Sequence, residues 1–502
     1  MTGGRTMERA DDYIAKGDSG KNRAGVLVPD APVAITGVVV TEGGDTLGIC
    51  RRVVLRAGLA AIAGVASGCA GIPRTRPGPP GVRITGSDGF SGPYALGTYT
   101  IARGGTYGPA EIGDRSNHPD ATGSESGPTF AGTPLRVATI EPVTIEGVHL
   151  KSTVPGIVCI YAMAGANVTV RNCHLDAYVR NGVVAWFNSS TDSPSTITFE
   201  NNYVHGGTIV VGWWGGTTTL SQAHIRNNYI EDIYGRLEGT GPERQAIHFH
   251  DVYGPNIDIS WNQIVNHWQT SCVEDVITFY ADPNCRCGGT AASRAQIHDN
   301  MIDGGWPRPG APPNTYAGSG TVVDLYGGGY GAFADFHNNQ YVALCNTGAG
   351  VSAGQSSHVY NNRVVCSGRL PDDSDWAPVP SYANGMDSYH RGPALLWDGI
   401  EGHPGWGDIK FTNNVAGFQR PTGRSDWWFE DNPDRDPVRH TGNLVIDAPV
   451  RADTAWYSGG HASDAAWEGG DAYTITNADQ DAERSRWQKK VRASGHLVGP
   501  RH

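Results

Sequence analysis

The sequence predicts an all-β fold, a parallel β-helix solenoid of about ten coils with loop insertions, and three observations support this prediction. An eight-residue unit with an alternating strand and an Asn-Asn pair recurs, as in "AHIRNNYI" at 223–230 and "ADFHNNQY" at 334–341. The early units start at Val143, Val168, Ile197 and Ala223, which lie 25, 29 and 26 residues apart. Such spacings are typical of solenoid coils, and longer gaps mark insertions. The chain also has 69 glycines and only 18% charged residues, which favours turns over long helices.

The sixth position of the unit is asparagine in eight of ten copies, with Val148 and Cys173 in the first two. An asparagine in a tight turn can bond to the turn backbone and to the asparagine of the next coil. Asparagine also tolerates the left-handed φ that such turns need. We therefore expect a structural ladder without a catalytic role. Its predicted members are Asn202, Asn228, Asn262, Asn300, Asn339, Asn362, Asn414 and Asn443.

We interpret the region before the β-helix as a targeting segment. "RRVVLR" at 51–56 and the short apolar run that follows resemble a twin-arginine lipoprotein signal at 51–69. This resemblance implies export to the extracellular space or cell surface, with a lipid on Cys69 as the only membrane contact. Residues 1–50 would then be a leader extension from a misassigned start, and 70–82 a Pro-rich tether.

The β-helix is predicted over 83–450, and 451–502 would form a C-terminal cap or tail. "NADQDAERSRWQKKVR" within this tail favours a short helix that could cover the end of the solenoid. The sequence leaves the oligomeric state open.

Charge and cysteine content restrict the partners and the crosslinks. A net charge of -12 argues against nucleic acid, and against a bare polyanion unless a cation mediates. Seven cysteines remain after Cys50 and Cys69, so at least one stays unpaired. Cys345 with Cys366 is the favoured disulfide, because both occupy similar places in successive repeats. Cys272 could pair with Cys285 or Cys287.

The repeat pattern resembles the right-handed parallel β-helix superfamily of pectate-lyase-like proteins over roughly 135–450. This resemblance implies a polysaccharide lyase, hydrolase or epimerase, or else an adhesin or binding protein, since fold does not fix function. The Asp-rich motifs of the pectin hydrolases are missing. The usual Arg or Lys base of the lyases cannot be placed.

A further strand in each coil carries candidate binding residues. Counting alternate positions places one aliphatic set inside and an aromatic column outside. Aromatic faces can stack on sugar rings, so this column is a predicted polysaccharide-binding track. Its members are Tyr161, Phe187, Trp213, Tyr280, Tyr326 and Asp398.

Polar residues interrupt this track at its centre and suggest catalysis. The predicted catalytic set is Asp324, His248, His250, Asp251, Glu274, Asp275, Tyr280 and Arg244. In a hydrolase, Asp324 with Asp251, Glu274 or Asp275 would form the carboxylate pair. In a lyase, His248 or Tyr280 would be the base, and Arg244 or a Ca²⁺ ion would neutralise a uronate carboxylate.

Other interpretations remain open at this point. His248, His250 and Asp324 could instead bind a transition metal. A non-catalytic glycan- or wall-binding surface protein and a structural spacer are the competing functions. No cofactor motif is evident in the sequence.

Overall fold

The computed structural model has the predicted architecture, a parallel β-helix. It describes residues 93–501, except for 118–119, 123–128, 178–182, 191, 216–219, 234–244, 283–284, 307–317, 326–329, 353, 375–391, 398–406, 421–422, 425–438, 454–460 and 463–472. The predicted leader, the signal with Cys69 and the whole tether at 70–82 therefore lie outside the described residues. Strands from successive coils pair in parallel and build three long sheets. We number the sheets 1, 2 and 3 in the order in which each coil visits them, starting from the repeated unit.

Sheet 1 contains eleven strands, which include the repeated units: Gly105–Tyr107, Val143–Glu146, Asn167–Arg171, Thr196–Glu200, Gln222–Arg226, Ile257–Ser260, Ala295–His298, Ala334–His337, His358–Tyr360, Lys410–Thr412 and Arg439–Thr441. Sheet 2 contains fourteen: Ala95–Leu96, Arg115–Ser116, His149–Lys151, His174–Ala177, Tyr203–Gly206, Tyr229–Glu231, Gln263–Val265, Met301–Gly305, Gln340–Leu344, Arg363–Cys366, Val415–Arg420, Gly423–Arg424, Leu444–Val445 and His461–Ala462.

Sheet 3 contains ten strands: Tyr99–Ile101, Leu135–Val137, Val158–Ala162, Val183–Asn188, Ile209–Trp214, Ile247–His250, Asp275–Ala281, Ser319–Leu325, Thr347–Ser352 and Gly392–Trp397. A small fourth sheet joins Arg286–Gly288, Tyr330–Ala332 and Gly354–Gln355. Two pairings at the end of sheet 2 are antiparallel: Gly423–Arg424 with Val415–Arg420, and His461–Ala462 with Leu444–Val445.

Apolar columns fill the lumen because alternate residues of each strand face inward. One column of sheet 1 passes through nine coils, and no member is more than 2% exposed. Each such buried side chain contributes about 1.5–3 kcal/mol relative to an exposed one. The column is Ile145, Val170, Phe199, Ile225, Ile259, Ile297, Phe336, Val359 and Phe411.

The asparagine ladder between sheets 1 and 2 has the expected bonds. The amide of Asn262, for example, donates to Oδ1 of Asn300 at 2.9 Å and to the carbonyl of Ile225 at 2.8 Å. The same pattern continues from Asn202 to Asn443. The left-handed φ belongs to the preceding residue, such as Asn227 or Asn338, rather than to the ladder asparagine itself. The two asparagines of each pair therefore have separate roles: the first adopts the turn conformation, and the second hydrogen-bonds to the adjacent coils.

The C-terminal segment contains the predicted helix, Asn477–Ser494. The carboxylate of Asp479 accepts the Thr476 backbone N–H at 2.8 Å and starts the helix, which ends at Gly495 with φ of 73°. The helix packs along the outer side of sheet 2, where Trp487 is buried in an apolar cluster. No helix among the described residues has the length and hydropathy needed to cross a membrane.

The residues after the helix continue along the same side of the coils. The Asn201 amide donates to the carbonyl of Leu497 at 2.7 Å, and the Gly499 N–H donates to the carbonyl of Asn227 at 2.8 Å. The Arg501 N–H reaches Oδ1 of Asn172 at 3.0 Å. We call residues 473–501 the C-terminal strap, because they connect late coils to early ones.

The seven cysteines in the described part of the chain are buried thiols, and none forms a disulfide there. The predicted pair of Cys345 with Cys366 is wrong because the two thiols lie on opposite sides of the coil wall. Cys345 belongs to the outer cluster beneath the helix, whereas Cys366 points into the lumen. Cys272 is likewise not joined to Cys285 or Cys287.

Candidate functional site

A β-bulge sets which side chains of sheet 3 face outward. The backbone N–H groups of Val210 and Val211 both donate to the carbonyl of Ala246, at 3.0 and 2.8 Å. Two consecutive residues therefore oppose one, and both valines are fully buried. Beyond this bulge the ordinary alternation resumes, shifted by one residue.

Two consecutive inward residues also occur in the preceding coil, where Val184 and Ala185 are both fully buried in the core. These irregular positions overturn part of the predicted binding track. Phe187 and Trp213 are completely buried in the core, so their predicted role in sugar binding is wrong. Trp186 and Trp214 take the outer positions instead. In the next two coils Ile247, Phe249, Ile277 and Phe279 point into the core. Alternation therefore places His248, His250 and Tyr280 on the outer face, as predicted.

The outer side chains form a continuous ring stack, which consists of Phe130, Tyr161, Trp186, Trp214, His248 and Tyr280. The Trp186 and Trp214 rings stack with centroids 3.9 Å apart and planes 13° apart. Trp214 continues to His248 at 5.0 Å, and Phe130 contacts Tyr161 at 4.5 Å. Since the two indole faces cover each other, that pair offers edges rather than faces to a ligand. The ring stack therefore supports the wall of the site more than it supplies sugar platforms.

Three polar side chains meet at the end of this stack and form what we call the His–Asp cluster: His250, Asp251 and Asp282. His250 Nε2 lies 3.2 Å from Oδ2 of Asp282 and 3.7 Å from Oδ2 of Asp251. One potential ligand atom from each residue lies within 4.8 Å of the others. The cluster joins two successive coils, because Asp251 and Asp282 directly follow the strands Ile247–His250 and Asp275–Ala281.

Backbone contacts hold this cluster in place. Asp251 has a left-handed φ of 56°, and its N–H donates to the carbonyl of Tyr280 at 2.9 Å. The N–H of Asp282 donates to Oδ1 of Asp251, also at 2.9 Å. Short polar residues such as Asp are among those that accept this φ. The geometry leaves Oδ2 of Asp251 directed at His250.

Burial makes the negative charge of the cluster costly. Desolvation raises the pKa of Asp251, although the neighbouring His250 imidazole opposes this effect. The Cys285 thiol hydrogen-bonds to Asp251, and burial together with that carboxylate raises the pKa of Cys285 to about 12. Two carboxylates and one imidazole, mostly enclosed, therefore favour the presence of a proton or a cation. The arrangement can transfer protons through His250 or bind a positive ion.

Other predicted catalytic residues are separated from the cluster or fall outside the described part. Glu274 and Asp275 lie at the opposite end of the strand from Tyr280, about 17 Å away. There Glu274 accepts a hydrogen bond from Gln245 at 3.1 Å. The backbone of Asp324 pairs with Tyr280, at the far end of the strand, so the predicted carboxylate pairs of Asp324 with Glu274 or Asp275 are wrong. The predicted pair of Asp324 with Asp251 stays a prediction.

The remaining predicted residues lie in the next coil or in omitted loops. The backbone of Asp324 is in register with Tyr280, one coil further on. The side chain of Asp324, and the whole of Arg244, Tyr326 and Asp398, lie outside the described residues. The metal set suggested from sequence contained His250, but the observed partners of this imidazole are Asp251 and Asp282.

Sequence reasoning missed Asp282, although a signal was present. "IHFHD" ends in Asp251 and "ITFYAD" ends in Asp282, so an acid closes the same strand in two consecutive coils. Trp186 and Trp214 were missed because the bulge is invisible in the alternation. Phe130 comes from an earlier coil, and no local pattern connects it to the site.

Comparisons with protein-family models, with curated proteins and with solved structures found no match to this chain.

Proposed function

We propose that the protein is an exported polysaccharide-cleaving enzyme that binds a glycan across the outer face of sheet 3. The observation that carries this proposal is the convergence of His250, Asp251 and Asp282 beside an aromatic wall. Glycan cleavage needs a group that moves a proton and charges that stabilise the transition state. The His–Asp cluster offers both kinds of group at one point.

The side chains around the cluster have complementary roles in this proposal. The Tyr280 ring lies 4.8 Å from His250, and His248 lies 5.9 Å from His250. In this proposal Tyr280 and His248 are additional proton-transferring groups beside His250, while the carboxylates set the charge. With bare carboxylates the expected reaction is hydrolysis of a neutral glycan. With a cation in the cluster, the expected reaction is β-elimination of a uronate.

Membership of the pectate-lyase-like superfamily is part of the same proposal, and the parallel β-helix architecture supports it. Export through the signal at 51–69, with a lipid on Cys69, also belongs to it and rests on those residues alone. A polysaccharide would then be the partner of the exported protein.

The test is a glycan screen with the purified full chain. Neutral and uronate polysaccharides are incubated with the protein, and both new reducing ends and unsaturated products are measured. We expect His250→Ala and Asp282→Asn to lower kcat/KM by roughly 100-fold or more, because a positioned acid–base group typically supplies that much. Glu274→Gln, at the far end of the same strand, is the matched control and should retain activity.

Two outcomes would contradict the proposal. Absence of any product from the whole panel would remove the enzymatic function, and glycan binding without product would support a surface-binding protein instead. Unchanged turnover by Asp282→Asn would place the reaction elsewhere on the solenoid.

A further inference from the structure

We propose that His250, Asp251 and Asp282 form a binding site for a divalent transition-metal ion, of the class of Zn²⁺ or Mn²⁺. One imidazole and two carboxylates converge on one point, and the three side chains are only 11–18% exposed. The site needs no residue outside these two coils. Metal binding at this site is a separate claim from glycan cleavage.

The distances fit an ion between the three residues. Zinc bonds to histidine nitrogen and carboxylate oxygen are about 2.0–2.2 Å, so neighbouring ligand atoms in a tetrahedral site lie about 3.4 Å apart. The observed separations from His250 Nε2, 3.2 and 3.7 Å, lie on either side of that value. The third separation is at most 4.8 Å, so modest rotation of one carboxylate completes the site.

The ligands are also held as metal ligands usually are. Oδ1 of Asp251 accepts the Asp282 N–H at 2.9 Å, which turns Oδ2 toward His250. The bond between the Asp251 N–H and the Tyr280 carbonyl fixes the two coils against each other. Such outer hydrogen bonds orient ligands and strengthen binding. The ion would offset the charge of two enclosed carboxylates.

The ligand set favours a transition metal over Ca²⁺ or Mg²⁺. Calcium takes six to eight oxygen ligands and magnesium keeps most of its water, whereas imidazole nitrogen suits zinc and its neighbours in the first transition series. The thiol of Cys285 bonds to Asp251 and adds a soft group beside the site. Three protein ligands leave at least one position open for a substrate oxygen. That last role rests on the proposed function.

The experiment measures metal binding directly on the full chain, produced without a histidine tag and stripped with a chelator. Calorimetric titration with Zn²⁺, Mn²⁺ and Ca²⁺ should show one high-affinity ion per chain, with Ca²⁺ at least tenfold weaker than the other two. Co²⁺ should give a visible absorption band, which reports its coordination. His250→Ala and Asp282→Asn should each weaken binding by 100-fold or more.

The matched control is His267→Gln. His267 also contacts carboxylates, Asp232 at 2.9 Å and Glu231 at 3.8 Å, but it lies just after the sheet 2 strand Gln263–Val265. This variant should bind the ion as the parent does. Circular dichroism of every variant shows whether the fold is retained, and Asp282→Asn preserves the shape of its side chain.

A parent protein that binds no ion, or a His250→Ala variant that binds as tightly as the parent, would overturn the inference. Ion binding without cleavage of any glycan would leave the inference standing and remove the proposed function. Cleavage that survives complete metal removal would support the proposed function and overturn only the role of the ion in the reaction.

Discussion

At the scale of single residues, the two described histidines whose pKa values depart most from the ordinary value form a pair on the outer face of sheet 1. His298 and His337 stack with centroids 4.8 Å apart, and Tyr360 continues the stack at the same spacing. His298 lies 2.7 Å from Asp299 and 3.4 Å from Asp258. Burial alone would lower its pKa, but hydrogen bonds to these two carboxylates raise the pKa of His298 to about 9.

The pKa of His298 predicts a loss of stability in mildly alkaline solution. Its folded-state pKa of about 9 is above the ordinary 6.5, so the stabilisation is complete below pH 6.5 and disappears as pH rises through 9. We expect the free energy of unfolding to fall by about 3 kcal/mol across this window. Urea denaturation of the parent and of His298→Gln at several pH values measures it.

The His298→Gln variant should lose less stability over that window than the parent does. The variant keeps the charged neighbours Asp258, Asp299 and Lys490 and the stacked His337. Any pH dependence of stability that comes from these residues is therefore present in both proteins. His337, whose pKa is lowered to about 4 by burial and then by His298, stays neutral throughout. Parallel pH profiles for the two proteins would contradict the assignment.

At the scale of elements, the Asn-Asn turn is the most informative unit. The side-chain amide of Asn414 donates to the backbone carbonyl of Val359 and to Oδ1 of Asn443, both at 3.0 Å. Its Oδ1 accepts a hydrogen bond from the side-chain amide of Asn362. The residue before it, Asn413, is exposed and has φ of 55°. The adjacent positions thus separate ladder bonding from turn conformation.

We expect Asn414→Ala to destabilise the protein by about 2–4 kcal/mol, because it leaves buried partners unpaired in two coils. Asn413→Gly should change stability by less than about 0.5 kcal/mol, since glycine accepts the left-handed φ. Chemical denaturation of both variants gives the comparison. A similar loss from both would show that the side chain of Asn413 stabilises the coils as much as the ladder amide does, which would contradict the separation of roles.

These turns could be predicted from the sequence, because the regular spacing of the repeated units and the asparagine at their sixth position indicate the same structure. It predicted the outward side chains only where alternation was unbroken, as at His248, His250 and Tyr280. At Val210 and Val211 two valines could alternate in either phase, and hydrogen bonding to Ala246 selected the bulge. The pairing of Asp251 with Asp282 depends on coil stacking across 31 positions, which local patterns do not encode.

At the scale of the whole molecule, the C-terminal strap links coils that do not otherwise touch. A solenoid is stabilised mainly between neighbouring coils, so a contact across several of them raises its cooperativity. Glu483 is fully buried and lies 2.8 Å from Nε of Arg363, which is 2% exposed. Gln340 also donates to Glu483, so two strands of sheet 2 converge on this helix residue.

We expect Glu483→Gln to release the helix from sheet 2, because it leaves the guanidinium of Arg363 buried without its counterion, at a cost of about 3–5 kcal/mol. Hydrogen–deuterium exchange should then rise in Gln340–Leu344 and Arg363–Cys366. Protection in the early strand Val158–Ala162 should not change. Asp481→Asn, an exposed charge on the same helix, is the control. Equal exchange in the parent and in Glu483→Gln would rule out the strap as a tie between coils.

The ladder also aligns a row of side-chain dipoles along the solenoid. From Asn202 to Asn414 each ladder amide donates to the asparagine of the following coil, so the side-chain dipoles point the same way and reinforce one another. An engineer who lengthens the protein by duplicating a coil must therefore keep an amide at this position. A duplicated unit taken from Val148 or Cys173 would interrupt the polarised row and divide it into two weaker halves.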